Sequence, residues 1–194
     1  MTKTDRRIRR TQKLLGDALI ALALERGYEN ITIQDVTDRA DIGYRTYFRH
    51  YAGLDDLLRY VAQTQLDELE KLFRFPSTDG PPQDFFTFSV ENGRVLFDYI
   101  QAHEPIFRVL LLQDSVRFCL QSVIRHARDY AEQFFKQFPS ENIAPSIIAN
   151  HVIYATFALM HWWLENDQPY SPRIMGEVFA ALIMRPAWQL SLEQ

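Results

Sequence analysis

Residues 31–51, ITIQDVTDRADIGYRTYFRHY, hold two short helical phrases with a stop between them. Thr32 offers a hydroxyl to the free N–H groups of a helix start, and Asp35 places a carboxylate beside the same positive end. A helix is predicted over Ile33–Ala40. Asp41-Ile42-Gly43 interrupts it, Asp41 tolerating left-handed backbone less well than glycine but better than most residues. A second helix is predicted over Tyr44–His50, ending at Tyr51-Ala52-Gly53. Val36, Ala40, Ile42 and Tyr47 are spaced to make a small core between the two, with Ala40 allowing close approach. Two short helices joined by a three-residue turn make a helix-turn-helix.

Outward from this motif the chain reads as helices and breakers. Upstream, Ile8, Leu15, Leu19 and Leu22 recur at helical spacing, so a first helix runs from about Asp5 to Arg26 and stops at Gly27. Downstream, Asp55 and Asp56 open a fourth helix reaching about Arg74, followed by the Pro/Gly-rich stretch 76–82. A fifth helix is predicted over Asp84–Ala102, a sixth over Pro105–Leu112, and a seventh over Ser115–Gln137, stopped by Pro139. Pro145 opens an eighth reaching Glu165, and Ser171-Pro172 caps a ninth that ends before Pro186. The expected fold is all-α with about nine helices. Seven glycines in 194 residues leave few for the tight turns of an all-β chain. The longest mostly apolar stretch, Val152–Leu164, is shorter than the ~20 residues that span a bilayer, so no membrane partner is expected. No apolar stretch follows the N-terminal arginines as a secretory signal requires, and the single cysteine, Cys119, suits a reducing compartment. A cytoplasmic location is expected.

Charge divides the chain. Residues 1–52 carry 10 Lys+Arg against 7 Asp+Glu, and the remaining residues 11 against 18. Lys3, Arg6, Arg7, Arg9, Arg10 and Lys13 concentrate the excess in an N-terminal arm, which points to a polyanion. In a helix-turn-helix the second helix enters the DNA major groove while the first crosses the backbone. Arg45 is then placed for a bidentate contact with guanine, and Tyr44 for a thymine methyl or a phosphate. Arg49 and His50 are left polar on or near the same helix.

Residues 5–58 resemble the DNA-binding domain of the tetracycline-repressor (TetR) family of bacterial transcription regulators. The likeness lies in Ile31-Thr32-Ile33-Gln34-Asp35-Val36, in Thr46-Tyr47-Phe48-Arg49-His50-Tyr51, and in Asp55-Asp56-Leu57-Leu58. It implies DNA contacts from Thr32, Gln34, Gly43 through its amide, Tyr44, Thr46 and His50, with Arg6, Arg7 and Arg10 supporting them from the arm. Tyr47 joins them as a member of the family's aromatic pair, although the order Tyr47-Phe48 departs from the usual apolar-then-Tyr and displaces a phosphate contact. Leu54 likewise replaces a frequent lysine. The resemblance further implies a DNA-binding domain over 1–52, a ligand-binding and dimerisation domain over 53–194, and a homodimer on a pseudo-palindromic double-stranded DNA operator. The expected function is ligand-responsive regulation, repression rather than activation. An activator, or a regulator without a small-molecule ligand, is the alternative.

Candidate dimer contacts are Ile148, Val152, Ala155, Leu159, Trp162 and Trp163 on the eighth helix, and Val178, Ala181 and Leu182 on the ninth. Thirteen of 14 phenylalanines and all three tryptophans follow residue 52. Of these rings and their neighbours, Phe86, Phe97, Phe107, Phe118, Tyr130, Phe134, Tyr154 and Phe157 are expected to line an apolar cavity, with His126 helping to orient a small hydrophobic or aromatic effector. His50, His103, His126, His151 and His161 are scattered without metal-ligand spacing, a phosphate loop or a nucleophile elbow. No enzyme activity, metal or cofactor is expected. Cys119, on an apolar helix face, reads as a core residue.

Overall fold

The computed structural model describes residues 3–73, 84–138 and 143–192, with side chains from Arg6 to Leu190 within those ranges. All regular elements among them are helical: α1 Lys3–Arg26, α2 Ile33–Ala40, α3 Tyr44–Tyr47, α4 Leu54–Leu72, α5 Phe85–Ala102, α6 Glu104–Leu112, α7 Arg117–Phe135, α8 Pro145–Glu165, α9 Pro172–Phe179 and α10 Arg185–Leu192. The proline-rich stretch 76–82, the α4 end at Arg74, the stop at Pro139 and the side chains of Lys3 and Asp5 lie outside the described residues.

Two boundaries differ from expectation. α3 keeps helical geometry only to Tyr47; the next residues turn more tightly, with the Arg49 and His50 N–H groups bonded to the carbonyls of Thr46 and Tyr47. Pro186 does not end the ninth helix. α9 and α10 form one rod joined by a π turn over Ala180–Met184, in which the Arg185 N–H donates to Ala180 O, five residues back. The wide turn admits the proline ring, which an ordinary α turn would press against the preceding carbonyl. Its additional residue, worth ~100° of rotation, also returns Ala187 and Trp188 to the face on which Met175 and Phe179 are buried. Counting the rod once, nine helices are described.

The helices gather into two compact units. The first takes residues 1–66 and 105–120, so the segment 1–52 lies wholly inside it; the second takes 67–104 and 121–194. In the first, Leu15 and Leu19 of α1, Val36 of α2, Tyr47 of α3, and Leu57 and Leu58 of α4 are completely covered. Gly16 lets α1 approach α4, since a Cβ there would stand 2.9 Å from Val61 Cγ2.

In the second unit α5 packs on α9, where Gly93 faces Gly176. Phe97 meets Trp163 edge-on at 5.0 Å, and Phe85 stacks on Trp188 at 4.0 Å. α8 corrects the expectation drawn from Val152–Leu164 alone: its full 21 residues are long and apolar enough to cross a bilayer. One face of it, including Ile148, Val152, Met160 and Trp163, is nevertheless buried within the unit, as in a core helix. Thr156, buried on that face, returns its hydroxyl proton to Val152 O at 2.7 Å and so leaves no unsatisfied donor there.

Candidate nucleic-acid interface

α2 starts in a reciprocal cap. The Asp35 N–H donates to Thr32 Oγ1 at 3.2 Å, while Asp35 Oδ2 accepts from the Thr32 N–H at 2.8 Å and from its hydroxyl at 2.6 Å. Arg26 reaches the same carboxylate at 2.7 Å. The Arg26 guanidinium, with the Thr32 donors, holds the Asp35 carboxyl well below the usual carboxylate range. The Thr32 hydroxyl proton is thereby committed to Asp35, which makes Thr32 first a helix cap. At the other end of α2, Asp41 takes the left-handed conformation, φ 51°, and the turn survives without glycine.

α3 presents an open face. Arg45, Arg49, Tyr44 and Phe48 are exposed, and Thr46 and His50 are half-buried. Tyr47 is completely buried, with its hydroxyl unpartnered among the described residues. Burial, aided by the Asp56 charge, pushes its phenol up to about 12. This corrects the placing of Tyr47 among DNA contacts: it fills the core between α2 and α3, and Phe48, which sequence reading passed over, turns outward. Beside Tyr44, a cavity of about 330 Å³ is lined by Gln34, Thr37, Asp38, Asp41, Ile42 and Gly43. Gln34 donates to Asp38, one turn on along α2, at 2.6 Å.

The arginines of residues 1–52 fall into two groups. Arg26 pairs with Asp35, and Arg39 makes a two-pronged bond to Glu25 at 2.8 and 2.7 Å. Arg45 and Arg49 on the α3 face, and Arg6, Arg7, Arg9 and Arg10 on the arm, are exposed and have no carboxylate partner among the described residues. Four buttresses hold the frame behind α3. Gln113, between α6 and α7, donates to Ala23 O at 2.9 Å and accepts the Tyr28 N–H at 3.2 Å. The Tyr28 hydroxyl donates to Asp55 at 2.7 Å. Arg59 lies over the Phe118 ring at 5.0 Å, and the buried Cys119 thiol faces Leu58 O at 3.8 Å. Burial pushes that thiol up to about 11, so it is a core group and a poor nucleophile.

The expected ligand-lining residues are shared between the two units. Phe107 and Phe118 belong to the first unit, the other seven residues to the second. Phe97 is consumed by its contact with Trp163, Phe86 is partly exposed beneath Arg185, and His126 is a surface group bonded to Glu70 at 3.0 Å. Tyr130 and Tyr154 are exposed, and Phe134 and Phe157 half-buried. Of the expected dimer contacts, Ile148, Val152 and Trp163 are buried within the second unit. Ala155, Leu159 and Val178 are half-buried, while Trp162, Ala181 and Leu182 are exposed. The outward strip of α8 is rotated from the expected one and carries Ile147 and Tyr154 besides Trp162; Ile174 and Leu182 stand out on the final rod. Sequence periodicity missed it because α8 is apolar on nearly every side.

Comparison with known proteins agrees with this architecture. Residues 93–185 match a TetR-type family model described as the transcriptional regulator C-terminal region. A curated HTH-type transcriptional regulator, YxbF of Bacillus subtilis, is 22% identical over 176 residues, covering 90% of this chain and 45% of that protein. The chain thus spans less than half the length of that relative. A solved TetR-family regulator of Syntrophomonas wolfei superposes with a TM-score of 0.76 at 14% identity, covering 92% of this chain and 95% of that one. The transcriptional regulator FadR of Bacillus subtilis, solved in complex with stearoyl-CoA, gives 0.68 at 13% identity, covering 89% and 97%. With a helix-turn-helix in the N-terminal unit and a TetR-type C-terminal region matched over residues 93–185, these findings together support a TetR-family transcriptional regulator.

Proposed function

We propose that the protein is a homodimeric, ligand-responsive repressor acting in the cytoplasm on a pseudo-palindromic DNA operator. The observation that carries this reading is a contrast among the arginines: Arg26 and Arg39 are ion-paired within the fold, and those on the α3 face and the arm are exposed and unpaired. Unpaired guanidinium groups beside a short exposed helix match the phosphate and base edges of a major groove. A twofold dimer sets two such helices ~34–36 Å apart, one turn of DNA. The outward apolar strip Ile147, Tyr154, Trp162, Ile174 and Leu182 supports a dimer formed through α8 and the final rod. Binding to DNA flanking its own gene, followed against salt, tests the central claim. Log affinity should fall by about 0.9 per phosphate neutralised for each unit of log salt, and Arg45→Ala should relax preference at one symmetric pair of positions. Affinity indifferent to salt and to Arg45 would refute it.

The aromatic wealth of the second unit supports a small hydrophobic or aromatic effector, and FadR, solved with stearoyl-CoA, supports an acyl chain within that class. Effector and DNA must weaken each other by one factor. Titration of stearoyl-CoA and of aromatic compounds against operator binding, read also through tryptophan fluorescence, tests this arm. Release of DNA by hydrophilic compounds alone would overturn it. Transcription from the operator in a reporter strain separates repression from activation.

A further inference from the structure

Tyr44 and Phe48 stand one helical turn apart and are 50% and 47% exposed. Their rings meet edge to face, with centroids 5.0 Å apart at 63°. Phe48 is backed by buried Tyr47 at 5.5 Å, so core packing fixes its outward direction. The flanking Arg45 and Arg49 leave the patch cationic without neutralising it. Phe48 has no hydroxyl to give a phosphate, and its ring edge against the Tyr44 ring gains nothing from a polar base edge, whatever the Tyr44 hydroxyl meets beyond it. Among the groups in the major groove, the thymine C5-methyl is the apolar one. Phosphates close by satisfy the cations, which fits one occupant to both halves of the surface.

We propose that Tyr44 and Phe48 form an apolar notch seating the C5-methyl of one thymine in each half-site, so that this base pair is recognised by methyl contact. The inference rests on reading α3 as the helix that enters the groove. It makes Phe48 a specificity-determining residue, although no hydrogen bond from it reaches DNA.

The full-length protein is used to select bound duplexes from a random-sequence library, and thymines in the enriched site are replaced by deoxyuridine, one symmetric pair at a time. Loss of one well-packed methyl should weaken binding about fourfold, hence about 15-fold for the symmetric pair. One pair should respond so, and the others should not. Phe48→Ala should bind thymine and deoxyuridine duplexes equally at that pair, and Phe48→Leu, which keeps an apolar surface, should retain part of the preference. An enriched site that tolerates deoxyuridine everywhere would overturn the methyl contact while leaving DNA binding intact. A preference that persists in both Phe48→Ala and Tyr44→Ala would overturn the residue assignment. Phe48→Ala losing all DNA while melting like wild type would make its role general and refute the notch. Failure to enrich any sequence would remove the DNA reading, and the inference with it.

Discussion

Replacing Gly176 by alanine sets a gain in helix propensity against a collision of backbones. A Cβ at 176 would lie 2.6 Å from Val90 O and 2.7 Å from Arg94 N, whereas ordinary contact begins near 3.4 Å. Both neighbours are main-chain atoms of α5 and cannot swing aside, so α5 and α9 must part by about the difference. A gap of 0.5–1 Å forfeits roughly a quarter to a half of the dispersion attraction along the crossing. Overpacking of this kind costs ~1–3 kcal/mol and occasionally more. Alanine returns up to about 1 kcal/mol over glycine in a helix interior. With the collision at the upper end of its range, the net loss is about 1–3 kcal/mol. At ~2–4 °C per kcal/mol for a chain of this size, the melting midpoint should fall by between about 2 and 12 °C. Thermal melting followed by far-UV circular dichroism measures it. Gly53→Ala, where a Cβ meets nothing within 4 Å, serves as the control. A Gly176→Ala protein melting at or above wild type would show that propensity wins and that the crossing is looser than these distances require.

Tyr47→Phe removes a buried hydroxyl that has no partner among the described residues and should raise stability by up to about 1 kcal/mol or leave it unchanged; a clear loss in denaturant melts would reveal a missed hydrogen bond. The Asp35 carboxyl is depressed in the folded state, so its contribution is present above the unfolded value near ~3.9 and is lost as pH falls below it. Asp35→Asn should therefore destabilise at neutral pH and flatten the acid limb of stability against pH, and an unchanged limb would rule the pair out as a source of that dependence. Cys119, buried and with its thiol raised to about 11, should resist thiol reagents at neutral pH until the protein unfolds. Labelling in the native state at the rate of a free thiol would contradict the burial.

Helix ends were legible where side chains mark them chemically: Thr32 with Asp35, Gly27, and Ser171 ahead of Pro172 all end or begin helices where expected. Pro186 misled because its stop rule assumes an α turn, and no residue pattern announces a π turn. Faces were legible only where polarity contrasts. α2 alternates sharply, and its buried Val36 and Ala40 were foreseen. α8 places Ile147, Ile148, Val152, Ile153 and Tyr154 around most of its circumference, so choosing an inward face required the packing itself. The adjacent Tyr47 and Phe48 posed the same difficulty on α3, where the more apolar ring faces out and the phenol is buried. The burial of individual rings in the second unit, Phe97 against Trp163 and Tyr130 outward, had no local signal, since composition counts aromatics without locating them.

The carboxamide of Gln113 ties residues 23 and 28 to a turn some 90 positions further along, and Asp55 holds the Tyr28 hydroxyl. The unit that holds the helix-turn-helix is thus discontinuous, drawing on residues 1–66 and 105–120. A ribosome must polymerise more than three-fifths of the 194 residues before the last of its parts exists. Until then the early segment lacks Gln113, and the Tyr28 amide has only water. Loops closed over such separations are entropically costly and slow to form. The helix-turn-helix segment completes its folding only after the chain has been made as far as about residue 120, and a fragment cut at residue 66 would be missing part of its own fold.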